Sequence, residues 1–263
     1  MRPRKEQAGT DAPDRDFVVA LARGLEVLRA FGREGEALGN KDFAERTGLS
    51  KSTVSRLTYT LHKLGYLSYS PSIARYQLAP PVLSLGFSCL AGMPLRQLAK
   101  PYMQQMADST GLPVAMASRD RLAMVYLERC RGANPVTIAI DIGEHIKLAT
   151  SSTGRAHIAA LTEKEREDLF AELSAHEGPK WPDIRVAIDD AIRMHAERGY
   201  CMSIGEWKPG VNAVAVPLRP RNETPIVVFN CGGPDQYVSR KRLTEEIAPQ
   251  LKDMVRRIAA VAS

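Results

Sequence analysis

The chain has 263 residues, enough for one large or two modest domains. It is 44% hydrophobic and 25% charged, so an ordinary globular core is within reach, and no apolar run approaches the length of a membrane span. The net charge is +6, and the stretch up to Pro80 carries +4 of it, which points that third toward nucleic acid, with a membrane surface as the alternative.

Residues 1–16, MRPRKEQAGTDAPDRD, lack the apolar core of a signal peptide and read as a disordered arm. Phe17 to Gly32 reads as a helix. Leu21, Ala22, Leu25, Leu28 and Phe31 share one stripe, and Gly32 and Gly35 end it. A short helix follows from about Asn40 to Arg46, with Asn40 as N-cap and Phe43 and Ala44 facing inward. Gly48 supplies the tight turn after it. Ser50 then caps a third helix whose predicted apolar face is Val54, Leu57, Leu61 and Leu64. Stepping about 100° per residue puts Ser52, Ser55, Arg56, Tyr59 and Lys63 on the opposite face. Two short strands, YLSY and RYQL, are joined by Ser70 to Ala74 as a hairpin wing with Arg75 at its base.

Charge sharpens this reading. Between Glu45 and Asp108 there is no carboxylate, although the chain has 30 and chance would place about seven there. The charges present are Arg46, Lys51, Arg56, Lys63, Arg75, Arg96 and Lys100. A preference for charge alone does not select one sign, whereas a polyanionic partner does. Residues 17–79 therefore read as a winged helix-turn-helix domain for double-stranded DNA. Ser52, Ser55 and Arg56 are expected to meet base edges or phosphates. Ser50 and Thr53 would anchor phosphate at the helix start, Arg75 would reach the backbone from the wing, and Lys51, Tyr59 and Lys63 complete the set. The alternative is a solvated face on a sensor module that does not bind DNA.

Pro80 to Pro94 predicts a linker helix, residues 80–93. Val82, Leu83, Leu85, Phe87 and Leu90 surround it rather than forming a stripe. Such a helix must be covered, and a second copy of itself is the expected cover, with packing into its own domain as the alternative. Residues 94–263 predict an α+β domain. A helix runs from Leu95 to Thr110 and ends at Gly111. Strand-like runs follow at LPVAMAS, AMVYLER and VTIAI, then HIKLAT leading into a helix near Ser152. Helices are expected at about Lys164–Leu173 and Asp183–Glu197, strands at YCMSI, NAVAVPL and PIVVFNC, and a last helix from Ser239 that Pro249 should kink or split. In ATSSTGRAHIAAL, small hydroxyl residues and Gly154 open a helix, so the amides of Ser152 and Thr153 are candidates to hold an anion. An ordinary Ser/Thr cap is the alternative.

Other chemistry is not suggested. Cys89, Cys130, Cys201 and Cys231 form no CxxC pair, which argues against structural zinc and a disulfide framework and fits a reducing cytoplasm. The five histidines show no metal-ligand spacing. No GxSxG elbow, P-loop or dinucleotide fingerprint is present, so no catalytic residue, cofactor or metal is expected. A nucleophilic Cys130 or Cys201 is the enzyme alternative, but neither has a recognisable base partner.

The segments ALARGLEVLRAF, LSKSTVSRLTYTLHKLGYLSYSPSIARYQLAPPVLSLG, ATSSTGRAHIAAL, GYCMSIGEWKPGVNAVAVPL and VVFNCGGP, in that order, resemble the IclR family of bacterial transcription regulators from about Phe17 to Ser263. The resemblance implies a GAF-like or profilin-like effector domain, a dimerising linker helix and a homodimer or homotetramer. It also implies a pocket for a metabolite carboxylate. The positions matching that pocket are Leu148, Ser152, Thr153, Gly154, Ala213, Ala215, Asn230 and Gly232, and Met116 and Tyr126 lie on strands that could share its face. The chain departs from the family after GY, at Ala213 and at NCGGP, where polar residues are more usual. Those departures suit a larger or aromatic acid.

Overall fold

Helices α1 (Val19–Arg29), α2 (Asn40–Thr47) and α3 (Lys51–Lys63), then the strands β1 (Leu67–Ser70) and β2 (Arg75–Leu78), build the N-terminal of two units, Met1–Cys89 and Leu90–Ser263. The computed structural model describes residues 16–32, 35–132, 141–220 and 225–262. The expected arm up to residue 15 and the expected strand VTIAI lie outside the described residues.

The small core of the first unit is Val27, Leu38, Phe43, Val54 and Leu67, with Phe31 edge-on to Phe43 at 5.3 Å. Helix α1 is shorter than its stripe predicts, ending at Arg29, and its burial is confined to its second half. Leu21 and Leu25 are 62% and 51% exposed instead of buried. Leu64 is also exposed, because it is the C-cap of α3 and leaves the helical stripe there. Thr58 takes a core position that hydropathy does not announce: its hydroxyl donates to Val54 O (3.0 Å) and Asn40 Oδ1 (3.2 Å), which makes burial affordable. The N-cap of α2 is Gly39 rather than Asn40, and Asp42 one turn on accepts from the Gly39 N–H at 2.9 Å. Gly48 does adopt a left-handed φ of 69° at the turn into α3. The wing pairs antiparallel with Leu67 opposite Leu78, and Leu38 bridges Tyr76 as an added edge.

Helix α4 (Pro80–Ala91) has no buried residue, with Leu83, Leu85 and Phe87 each more than half exposed. Helix α5 (Pro94–Thr110) ends at Gly111, φ 72°. Strands β3 (Val114–Asp120), β4 (Ala123–Cys130), β5 (His145–Lys147), β6 (Cys201–Ile204), β7 (Val211–Leu218) and β8 (Val227–Pro234) form an antiparallel sheet in the order β5-β4-β3-β8-β7-β6. With helices on both faces, the unit is the expected α+β domain.

The faces differ in side-chain size. One carries Met116, Phe229, Val214 and Val216 and packs on Met103 and Met106 of α5. The last helical stretch covers the same face. Its first turn α9 (Arg240–Arg242) passes through a π-helical segment, Leu243–Ile247, into α10 (Ala248–Val261). The predicted break at Pro249 is realised as this wider turn, which relieves the proline ring of a clash one turn back and keeps Leu243, Ile247 and Leu251 fully buried. The other face carries Ala115, Ala117 and Ala215 and packs on α6 (Ser152–Ala159), α7 (Glu163–Glu177) and α8 (Trp181–Arg198). Small residues on that face let α6 approach the sheet and leave space beside it.

Candidate functional site

The outward face of α3 is built from its cap upward. Ser50 Oγ accepts from the Thr53 N–H and lies within hydrogen-bond distance of the hydroxyls of Ser52 (3.1 Å) and Thr53 (2.9 Å). A hydroxyl cluster thus surrounds a helix N-terminus whose first amides have no intrahelical acceptor. Beyond it Lys51, Ser52, Ser55, Arg56, Tyr59 and Lys63 are all exposed. Lys63 Nζ lies 5.5 Å from the Tyr59 ring centroid, a cation–π pair that leaves the ammonium outward. No carboxylate interrupts this face. Arg75 has a local task that the wing pattern does not reveal. Its guanidinium donates to Ala37 O (2.6 Å) and to Asp42 Oδ2 (2.9 Å), tying the wing to the capping residue of α2, while close to half of the side chain stays exposed.

The space on the small-residue face of the sheet is a cavity lined by Ala115, Tyr126, Arg129, Ile146, Ser151, Ser152, Ser203, Trp207, Val211, Ala213, Asn230 and Gly232, with Pro113. A water can occupy about 30 Å³ of it, although the walls enclose about 490 Å³ when the crevice leading outward is counted. Strand register explains the convergence. Ala115 pairs with Asn230, Asn230 with Ala215, and Ala213 with Gly232, so these positions share one face. Gly232 is required there, since a Cβ would lie 2.5 Å from both Ala213 Cβ and Asn212 O. Helix α6 begins at Ser152 as expected, with Ser151 as its N-cap. Ser151 Oγ accepts from the Gly154 N–H (3.0 Å) and donates to Lys147 O (2.7 Å). That leaves the amides of Ser152 and Thr153 at the start of α6 as the orphan donors.

Tyr126, Ser152, Ala213, Asn230 and Gly232 thus line the cavity. Leu148, Thr153, Gly154 and Ala215 are fully buried around it, without reaching its wall. Gly154 is pressed onto the chain before it, where a Cβ would lie 1.9 Å from Leu148 O. Met116 is a correction: strand alternation turns it to the opposite face, where it pairs with Phe229 in the other core. Sequence reasoning missed Arg129, Ser203 and Trp207. Parity with Ala115 along paired strands could have found the first two positions, but Trp207 comes from a turn with no period to follow.

Two polar groups give the cavity its character. Arg129 has a side chain only 5% exposed, and it donates to Asp141 Oδ1 at 2.9 Å. Desolvation, with Arg131 nearby, lowers its pKa below the usual arginine value against the pull of Asp141. Asn230 is buried, and its Oδ1 has no hydrogen-bond partner among the described residues. A cation, helix-start amides and an unsatisfied amide among apolar walls can hold one small carboxylate with a polar substituent. The cysteines offer no comparable chemistry. Burial pushes the thiol of Cys130 up to about 11 and those of Cys201 and Cys231 up to about 12, so they are not thiolates. Among the described residues no cluster of His, Cys, Asp or Glu could hold a metal, and no single helix is long and apolar enough to cross a membrane.

Comparison with known proteins agrees with both halves. Residues 20–71 match the IclR helix-turn-helix domain, and residues 87–260 match the bacterial transcriptional regulator IclR C-terminal domain. The HTH-type transcriptional regulator TsaQ1/TsaQ2 of Comamonas testosteroni is 37% identical over 246 residues, covering 93% of this chain and 88% of its own. The crystal structure of an IclR family transcriptional regulator from Brucella abortus superposes with a TM-score of 0.91 at 46% identity, covering 98% of this chain and 97% of its own. An IclR homolog from Microbacterium hydrocarbonoxydans, crystallised with 4-hydroxybenzoate, shares the fold at a TM-score of 0.67 and 21% identity, covering 92% and 96%. The outward basic helix, the enclosed cavity and these matches place the chain in the IclR family of DNA-binding bacterial transcriptional regulators.

Proposed function

We propose that this regulator reads an operator with α3 of two paired copies and that a small organic acid, bound in the cavity of the C-terminal unit, changes operator affinity. The carboxylate-free outward face of α3 carries the DNA half of the reading. Arg56 and Ser55 meet base edges in the major groove, while Ser50, Lys51, Ser52 and Thr53 hold phosphates at the helix start, with Tyr59 and Lys63 along its length. Helix α4, apolar and uncovered, pairs two copies so that two half-sites are read together. In the cavity, the helix start at Ser152 and the guanidinium of Arg129 take the carboxylate. Ile146, Trp207 and Val211 take an apolar body, and Asn230 takes a polar substituent. The apolar chemistry of those walls suits an aromatic acid once they part to admit one, and the 4-hydroxybenzoate bound by the Microbacterium relative makes that compound and benzoate suitable probes. Regulation requires that the acid bind the two placements of the DNA-binding units with different affinity.

The test is binding of the full chain to DNA upstream of its own gene, with competitor DNA present, across a salt series. Sequence-selective binding that weakens steeply with salt is expected, because each phosphate contact releases counterions. Absence of binding to any DNA at low salt would overturn the reading. The second arm repeats the titration with benzoate, 4-hydroxybenzoate and acetate. A shift in operator affinity with the aromatic acids and none with acetate is expected, and a response to acetate alone would remove the aromatic assignment.

A further inference from the structure

The turn between β6 and β7 is fastened to α6 by a partly buried ion pair. Arg155, in the first turns of α6, has a side chain only 6% exposed. Its guanidinium makes a bidentate pair with Glu206, at 2.6 Å from Nη1 and 2.8 Å from Nη2. Longer contacts join it to Ala149 O (3.4 Å) and Met202 O (3.5 Å). Glu206 also accepts from the Ile204 N–H at 3.3 Å, so one carboxylate fastens the turn to itself and to α6. The next residue is Trp207, a wall of the cavity, with Lys208 Nζ 4.6 Å from its ring centroid. Gly205 (φ 70°) and Gly210 (φ 77°) bound the turn, and left-handed backbone is cheap at both. A Cβ on either would meet nothing within 4 Å, so neither glycine is there for close packing.

These facts bear on entry. The space a water can occupy in the cavity is about 30 Å³, far less than an aromatic ring needs, so a wall must move to admit one. Strands β3, β4, β7 and β8 have a neighbour on each side, β5 and β6 are edges held by one neighbour each, and α6 is fixed by its cap and by Gly154 against Leu148. The 205–210 turn is joined to its surroundings by the Arg155–Glu206 ion pair, by the Asp235 N–H donating to Gly210 O (2.8 Å) and by Trp207 against the core, and of these the ion pair alone ties it to α6; a permissive residue stands at each end. We infer that the Arg155–Glu206 pair is the latch of a cover formed by Trp207, and that the latch sets how fast a ligand enters the cavity. The latch fastens to α6, the helix whose first amides are assigned to the carboxylate, so cover and anion site share one support. This inference rests on the cavity being the effector site.

Trp207 is one of two tryptophans, the other being Trp181 on α8 against Phe170, outside the cavity. A Trp181→Phe background makes Trp207 the sole reporter. Acrylamide quenching of ligand-free protein is compared between that background and Glu206→Gln or Arg155→Met, at a temperature where circular dichroism shows all of them folded. Arg155→Met opens the latch from its other end without stranding a buried cation. Quenching is expected to rise about twofold in both variants, and the stopped-flow association rate of benzoate, followed by Trp207 emission, about tenfold, as loss of a charge-assisted hydrogen bond should give. Quenching unchanged from the background in both variants would overturn the latch. Increased quenching with no benzoate or 4-hydroxybenzoate bound by any of the proteins would keep the latch and overturn the aromatic-acid reading of the cavity instead.

Discussion

Arg56 is exposed on the outward face of α3, so its removal should cost the fold little. Arg56→Ala is expected to weaken operator binding by about 1–3 kcal/mol if the guanidinium is bidentate on a base, measured against a scrambled site to separate base reading from phosphate contact. Gly154 is the opposite case. Its missing Cβ would lie 1.9 Å from a backbone oxygen that no rotamer can move. Gly154→Ala should destabilise the chain by about 3 kcal/mol in urea denaturation, at the upper end of overpacking. His157 is buried with both ring nitrogens unpartnered among the described residues. Burial first, then Arg119 and Arg219 against the pull of Glu165, lowers its pKa from 6.5 to about 4. Between those values the unfolded chain binds a proton that the folded chain refuses, so this contribution is whole above about pH 6.5 and shrinks as pH falls toward 4, by up to about 3 kcal/mol. His157→Leu should flatten the dependence of unfolding free energy on pH across that window.

At the scale of elements, the wing and α2 depend on one carboxylate. Asp42 caps the Gly39 amide and receives Arg75, so Asp42→Ala should cost about 1–2 kcal/mol, that is, a cap together with a partly exposed ion pair. Arg75→Ala and Asp42→Ala should be non-additive in a double-mutant cycle of thermal unfolding, because they remove the same tie. Elements were largely legible from sequence where one period governs them. The cap at Ser50, the turn at Gly48 and the end of α5 at Gly111 are local chemistry, and local chemistry is written in consecutive residues. The misses have a common physical source. A stripe tells which face is apolar but not how far its cover extends, which is why Leu21 and Leu25 stand exposed. Thr58 enters the core by satisfying its hydroxyl, which no hydropathy scale records. The cavity was half legible: hydroxyls at a helix start announce themselves and the family resemblance points to Asn230, whereas Arg129, Ser203 and Trp207 join it only through the register of β4 and β6 and the turn after β6.

For the whole molecule, the uncovered α4 predicts association. Leu83→Glu with Phe87→Glu should convert a dimer into monomer in sedimentation, and operator affinity should fall with it, because two half-sites are then no longer linked. The folded C-terminal unit should survive, since none of its buried residues lies on that helix. The distribution of cysteines has a consequence for watching this happen. Cys130, Cys201 and Cys231 are buried, and Cys89 on α4 is exposed. The natural chain therefore carries a single addressable thiol, already placed on its connecting helix, and a nitroxide or dye can be attached there without removing a native residue. In a pair of chains the two labels are related by symmetry, so their separation is one number that reports how the connecting helices sit. If α4 forms the seam, labelling will slow as the chains associate. If the thiol stays accessible, the separation before and after adding an acid measures the motion that regulation requires.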